Sequence, residues 1–159
     1  MEMRIRKAED KDALRIKELL SQVLELHADV RPDIFISGTT KYTEKEIKDI
    51  LKDEKRLTYV AVDGDGTVLG YALCEIKEPT PSNNIRPFSA LYIDDLCVDE
   101  TARGRNVGKQ LFLYVKEEAK RLGCYEITLN VWEGNYGAKR FYDKMGMKPK
   151  STTMELILE

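Results

Sequence analysis

The spacing of apolar residues changes along this chain, and the changes divide it into elements. Met3 to Lys7 alternates apolar and basic side chains, the period of two that marks a strand. Ala13, Ile16, Leu19, Leu20, Val23 and Leu24 then recur three and four apart. That spacing predicts an amphipathic helix, with Asp10 as its expected cap. Arg31-Pro32-Asp33 ends it, because the residue before a proline avoids the helical region. Thr43-Glu44-Lys45-Glu46 has the hydroxyl-to-carboxylate spacing of a capping box, and it opens a second helix striped by Ile47, Ile50 and Leu51. Leu57 to Val62 reads as a strand, Asp63-Gly64-Asp65-Gly66 as a turn, and Thr67 to Lys77 as the returning strand. Glu78 to Pro87 holds three prolines and two asparagines and is a loop. Ser89 to Val98 is a strongly apolar strand interrupted by Asp94-Asp95. A helix is predicted from Val107 to Leu122, with Leu111, Val115, Ala119 and Leu122 on one face and Gly123 as its stop. Tyr125 to Trp132 is a strand. Asn135 starts a helix carrying Ala138, Phe141, Tyr142 and Met145, which Gly146 ends. Thr152 to Leu158 alternates as a last strand.

This order predicts an α/β fold with a mixed sheet. The β-α-β run in the second half implies a parallel pair with a right-handed crossover, and the Asp-Gly hairpin implies an antiparallel part. Composition narrows the picture. A length of 159 residues suits one domain, residues 1–159, and 42% hydrophobic with 34% charged residues is an ordinary globular mixture. The balance of 26 basic against 28 acidic residues argues against a general nucleic-acid binder. No run approaches the ~20 apolar residues of a membrane span, and the first residues lack the apolar core of a signal peptide. The expected compartment is the cytoplasm. Cys74, Cys97 and Cys124 are odd in number and far apart, with no CxxC and no Cys/His cluster, so no metal site is expected.

Chemistry concentrates between Leu91 and Lys109. An apolar strand ends, a short turn follows, and Arg103-Gly104-Arg105-Asn106-Val107-Gly108-Lys109 leads into a helix. The first amides of a helix lack partners within it and lie at the positive end of its dipole. Glycines let a ligand approach the backbone, and three basic side chains add charge at the same place. The physical reading is a phosphate or pyrophosphate cradle; a plain glycine-shaped turn with solvated arginines is the other reading. The P-loop spacing does not fit, since three residues separate Gly104 from Gly108 and Gln110 follows Lys109.

The strand Tyr92-Ile-Asp-Asp-Leu-Cys-Val98, the loop Arg103-Gly-Arg-Asn-Val-Gly108, and the block Asn135-Tyr-Gly-Ala138-Lys-Arg-Phe-Tyr142 followed by Gly146 together resemble the GNAT superfamily of N-acetyltransferases. The resemblance is carried from Tyr92 to Met147. It implies a central mixed sheet of about seven strands with helices on both faces. It also implies acetyl-CoA as co-substrate, with no metal. The loop Arg103, Gly104, Arg105, Asn106, Val107, Gly108 and Lys109 would wrap its pyrophosphate. A bulge near Tyr92–Val98 would splay that strand from its parallel neighbour. Leu96, Cys97 and Val98 would then offer backbone groups to the pantetheine arm, and Asn135 would touch that arm besides capping its helix. Asn106 stands where the family has its middle loop glycine. Asn is the non-glycine residue that best tolerates positive φ.

The same resemblance makes Tyr142 the general acid for the departing thiolate, and a phenol of pKa ~10 suits that task. Asp94 is the candidate base or acceptor contact, or else a bulge partner. As neighbours on a strand, Asp94 and Asp95 are expected to face opposite ways. His27 is a candidate acceptor contact or an exposed helix-end histidine. Cys97 is not expected to be a nucleophile, because an apolar strand raises a thiol's pKa. The implied reaction is direct acetyl transfer, in a ternary complex, to a primary amine. That amine is a polyamine, an amino-sugar, or a protein or peptide amine. A non-catalytic acyl-CoA binding or sensing module is the alternative; Asn106 points to it and Tyr142 against it. A homodimer through Thr152–Leu158 is also expected. Neither nucleic acid nor membrane is expected as a partner.

Overall fold

The computed structural model describes residues 2–159. Its strands are β1 (Arg4–Lys7), β2 (Arg56–Val62), β3 (Val68–Lys77), β4 (Ala90–Val98) and β5 (Glu126–Leu129). They form one sheet in chain order. The first four pair antiparallel, and β4 pairs β5 parallel. The helices are α1 (Ala13–Val30), α2 (Glu44–Lys52), α3 (Val107–Arg121) and α4 (Tyr136–Lys144).

Helices cover both faces, which is why β2 reads as an unbroken apolar run from Tyr59 to Val62. Tyr59 and Ala61 join Leu111, Phe112 and Val115 of α3. Their neighbours Val60 and Val62 join Ile16, Leu19 and Leu20 of α1 and Ile47 of α2. Complete burial of a side chain such as Ile16 or Leu111 contributes about 1.5–3 kcal/mol. One glycine sets how closely α3 seats. A Cβ at Gly70 of β3 would lie 2.7 Å from the Cys97 carbonyl oxygen and 3.2 Å from Leu111 Cδ1.

Four sequence expectations change. Asp10 does not cap α1. It begins a short 3-10 turn, and Asp12 takes the Glu9 N–H at 2.8 Å and pairs with Arg6 at 2.7 Å. The Tyr125–Trp132 strand is confined to Glu126–Leu129, because β4 runs alongside it only from Ala90 to Ile93. Thr152–Leu158 is not a strand: residues 148–159 are exposed and make no ladder. A strand needs a neighbour for its backbone groups; this arm is held instead by ion pairs from Lys150 to Glu126 and from Arg31 to Glu155, with Lys150 also 5.7 Å from the Phe88 ring centroid. The sheet among the described residues therefore has five strands, not about seven.

Candidate active site

The site is built where β4 leaves β5. Leu73 of β3 faces Asp95 while Cys74 faces Ile93, so Asp94 is the extra residue of a bulge. A bulge bends its strand and re-aims side chains. Pairing with β5 stops at Ile93–Leu129. From Asp95 to Val98, β4 keeps its β3 partners on one edge and has no strand on the other. Leu96, Cys97 and Val98 lie on that open stretch.

Beyond β4, Asp99 pairs with Arg15 of α1 and accepts the Thr101 amide at 3.0 Å, anchoring the turn into the loop. Gly104 has φ 87° and Asn106 φ 59°. Asn106 is thus left-handed, as a glycine would be, and its side chain makes no capping bond. By contrast, Thr43 caps α2 and Asn135 caps α4, accepting from Glu46 N at 3.1 Å and Ala138 N at 3.2 Å. So α3 begins without a side-chain cap, with its first-turn amides turned to an exposed loop. Arg103, Arg105 and Lys109 are exposed, and none makes an ion pair among the described residues. Val107 is buried and pins the loop to the core. Gly108 abuts α4: a Cβ there would meet the Phe141 ring at 3.4 Å and Val98 at 3.5 Å. Uncapped amides, positive φ and unpaired cations fit a pyrophosphate.

At the other end of the open stretch, both carboxylates of the bulge reach one ammonium. Lys41 Nζ donates to Asp94 Oδ1 at 2.9 Å and to Asp95 Oδ2 at 3.1 Å. The Tyr42 hydroxyl donates to Asp94 Oδ2 at 2.9 Å. The two carboxylates do not face opposite ways, because the bulge breaks strict alternation. Burial pushes Asp95 up to about 6, against the pull of Lys41 and with added repulsion from Asp94. Burial opposes the charge on Lys41 too, but the two carboxylates overcome it and hold the ammonium above its ordinary value. At neutral pH Asp95 and Lys41 are therefore both charged and pair as ions.

Tyr142 packs on Phe112 and Phe141, with ring centroids 6.2 and 5.1 Å away. Burial raises its phenol, as does the charge of Asp95, so it stays protonated throughout the physiological range. Phe141 backs Gly108, while the Tyr142 phenol feels the charge of Asp95. The Cys97 thiol points the other way, donating to Leu19 O at 3.6 Å, and burial pushes it up to about 12. His27 is half-buried rather than exposed. Its ring lies 5.1 Å from Phe35, which lies 5.1 Å from Trp132. Burial lowers its pKa, and Lys41 lowers it further. Asn135 follows Gly134, whose φ is 99° and whose Cβ would strike Val30 at 2.9 Å.

The model of the acetyltransferase (GNAT) family matches residues 20–147 of this chain. The chain belongs to that family. Among solved structures, a single-site mutant of the BH1408 protein from Bacillus halodurans superposes with a TM-score of 0.94 at 31% identity, over 98% of this chain and 99% of that one. A glucosamine 6-phosphate N-acetyltransferase from Arabidopsis thaliana is 36% identical over 63 residues, 40% of each chain. A spermine/spermidine N(1)-acetyltransferase from Bacillus subtilis is 24% identical over 130 residues, 79% of each. The chain spans less than half the length of the first two curated relatives it matches, 40% and 47%.

For this GNAT member, sequence reasoning placed the cradle, the bulge strand and Tyr142 in one region, and the structure brings them together. It missed Lys41 and Tyr42, which no local pattern singles out, because they meet Asp94 across more than fifty residues of chain. It also missed the Arg15–Asp99 anchor and the Phe35–Trp132 contact for the same reason. Among the described residues no cluster of three or more His, Cys, Asp or Glu suits a metal. No helix among them is long and apolar enough to cross a membrane.

Proposed function

We propose that the chain is an acetyl-CoA-dependent N-acetyltransferase that moves an acetyl group directly to a primary amine in a ternary complex. One observation carries this reading. A single open stretch of β4, from Asp94 to Val98, is bounded at one end by an uncapped, cationic helix start and at the other by two carboxylates. The first suits the pyrophosphate of acetyl-CoA; the second suits a cationic amine. Acetyl-CoA supplies the acetyl group as a thioester. Backbone groups of Leu96, Cys97 and Val98 pair with its arm as an added strand would, and Asn135 closes the far side. One of those amides polarises the thioester carbonyl. Asp94 and Asp95 hold the amine, and Asp94 takes its proton. Tyr142 protonates the departing sulfur.

The carboxylate pair favours a cationic acceptor, of the polyamine or amino-sugar kind that the curated relatives' names suggest, or a protein amine. His27, Phe35 and Trp132 form a wall of the acceptor cleft. A non-catalytic acyl-CoA binding or sensing module is the alternative; the left-handed Asn106 keeps the loop's glycine-like backbone, and thiol release on an amine separates the two. The proposed compartment is the cytoplasm, in keeping with three free thiols, and the proposed assembly is a homodimer.

Titration calorimetry with acetyl-CoA against S-acetylpantetheine tests the reading, followed by thiol release with spermidine, glucosamine 6-phosphate and a peptide α-amine. Micromolar acetyl-CoA binding that is lost without the pyrophosphate, together with release on a cationic amine, supports it. Absence of acetyl-CoA binding overturns it.

A further inference from the structure

Lys41 has no role in the scheme above, yet it sits inside it. Its ammonium bridges Asp94 and Asp95 at the bulge, where β4 parts from β5. The Tyr42 ring centroid lies 5.6 Å from the same nitrogen. A lysine side chain ends in a primary amine, which is the group this site is proposed to acetylate. The segment that delivers it is exposed except at Thr40 and Tyr42; Tyr42 leans on the core and donates to Asp94. Ser37 and Gly38 bond Glu25 of α1, each at 2.7 Å, and Thr43 caps α2. Between them Lys41 spans to β4 in the position a cationic acceptor would take.

We propose that Lys41 is itself an acetyl acceptor: with no free amine in the cleft, the protein transfers the acetyl group of acetyl-CoA to Lys41 Nζ. This rests on the N-acetyltransferase reading above. Asp94 accepts a proton from the ammonium, and the freed nitrogen attacks the thioester carbonyl carbon. The C–N bond forms and the C–S bond breaks. The nitrogen gives up a second proton as it becomes an amide. One proton ends on the CoA sulfur by way of Tyr142, and the other goes to solvent. The product amide is neutral and no longer holds two carboxylates. Asp95, whose side chain is only 9% exposed, then lacks its counter-ion, so the 38–43 segment leaves β4 and the amine subsite opens. Lys41 is in this sense a plug that the reaction removes.

The test incubates the full chain with isotope-labelled acetyl-CoA, without acceptor, and maps labelled lysines by mass spectrometry. Lys45 and Lys52, exposed on α2, report solution acetylation. Labelling of Lys41 at least about tenfold faster than of either, as proximity to the carboxylates and thioester demands, supports the proposal. Slowing of that excess by Tyr142→Phe, with Lys45 and Lys52 unchanged, supports it further. Labelling of Lys41 at the rate of the other two overturns it. The functional reading is judged separately. A protein that binds acetyl-CoA and releases thiol on spermidine, but labels Lys41 no faster than Lys45, keeps its activity and refutes the plug.

Discussion

Asn106 holds a left-handed φ of 59° at the start of α3, a conformation that costs a β-branched residue about 1–2 kcal/mol more than glycine. Asn106→Val should therefore weaken acetyl-CoA binding by about tenfold, one factor of ten per ~1.4 kcal/mol. Asn106→Gly should match the parent. Calorimetry decides it, and equal affinity for Val and Gly would remove the loop from the binding site. Tyr142→Phe keeps the ring that packs on Phe112 and removes only the proton donor. Turnover should fall by about 10²–10⁴-fold with acetyl-CoA affinity intact; undiminished turnover would discard the general acid. Asp95 gives a pH signature. It is pushed up to about 6, so it is charged above that value and neutral below, and kcat/KM for a cationic amine should fall as pH drops through about 6. Lys41 and Tyr42 face the same site, Asp94 beside them, and His27 lies close enough to feel Lys41. Asp95→Asn should erase this acid limb, and His27→Asn should leave it in place. Stability runs the opposite way: the raised value contributes stability that is complete below the ordinary carboxylate range near ~3.9 and lost as pH rises through about 6.

Elements place these residues, and most of them were legible because their signals are local. The capping box at Thr43, the period of α1 and the turn before α3 involve neighbours in sequence, so Thr43 and Asn135 cap their helices as expected, while the start of α1 shifts past Asp10. The bulge was foreseen only through resemblance, and its effect on Asp94 and Asp95 was not. Alternation within one strand says nothing about how β3 and β4 slip past each other at Leu73 and Cys74. Gly70 is the sharpest such case. Nothing beside it in sequence shows that it must be small, yet its Cβ would lie 2.7 Å from the Cys97 carbonyl, on the strand segment that borders the site. Gly70→Ala should destabilise the fold by about 1–3 kcal/mol through overpacking. It should also weaken acetyl-CoA binding, since β4 must shift away from α3. A melting temperature equal to the parent's would show that the strand yields without cost.

The whole molecule leaves one surface unfinished. Strand β5 has a neighbour on β4 only, and its four residues are all partly exposed. Helix α4 buries no residue fully, although Phe141, Tyr142 and Met145 lean on the core. Beside them runs the arm from 148 to 159, with Met154, Leu156 and Leu158 84–86% exposed and Ile157 66% exposed. Thr152–Leu158 alternates as a strand does but finds no strand partner among the described residues. A second copy would supply both needs: an apolar strand for the free edge of β5 and a cover for the arm. Burying three such side chains on each arm contributes about 1.5–3 kcal/mol apiece, ample to hold a dimer at ordinary protein concentrations. Light scattering should therefore give a mass of twice 18.3 kDa. Replacing Met154, Leu156 and Leu158 with serine should return the single-chain mass while acetyl-CoA binding at α3 persists, because none of the three belongs to the loop Arg103–Lys109 or to β4. A parent that scatters as one chain at high concentration would mean that the arm stays unpaired in solution, and the homodimer would be withdrawn.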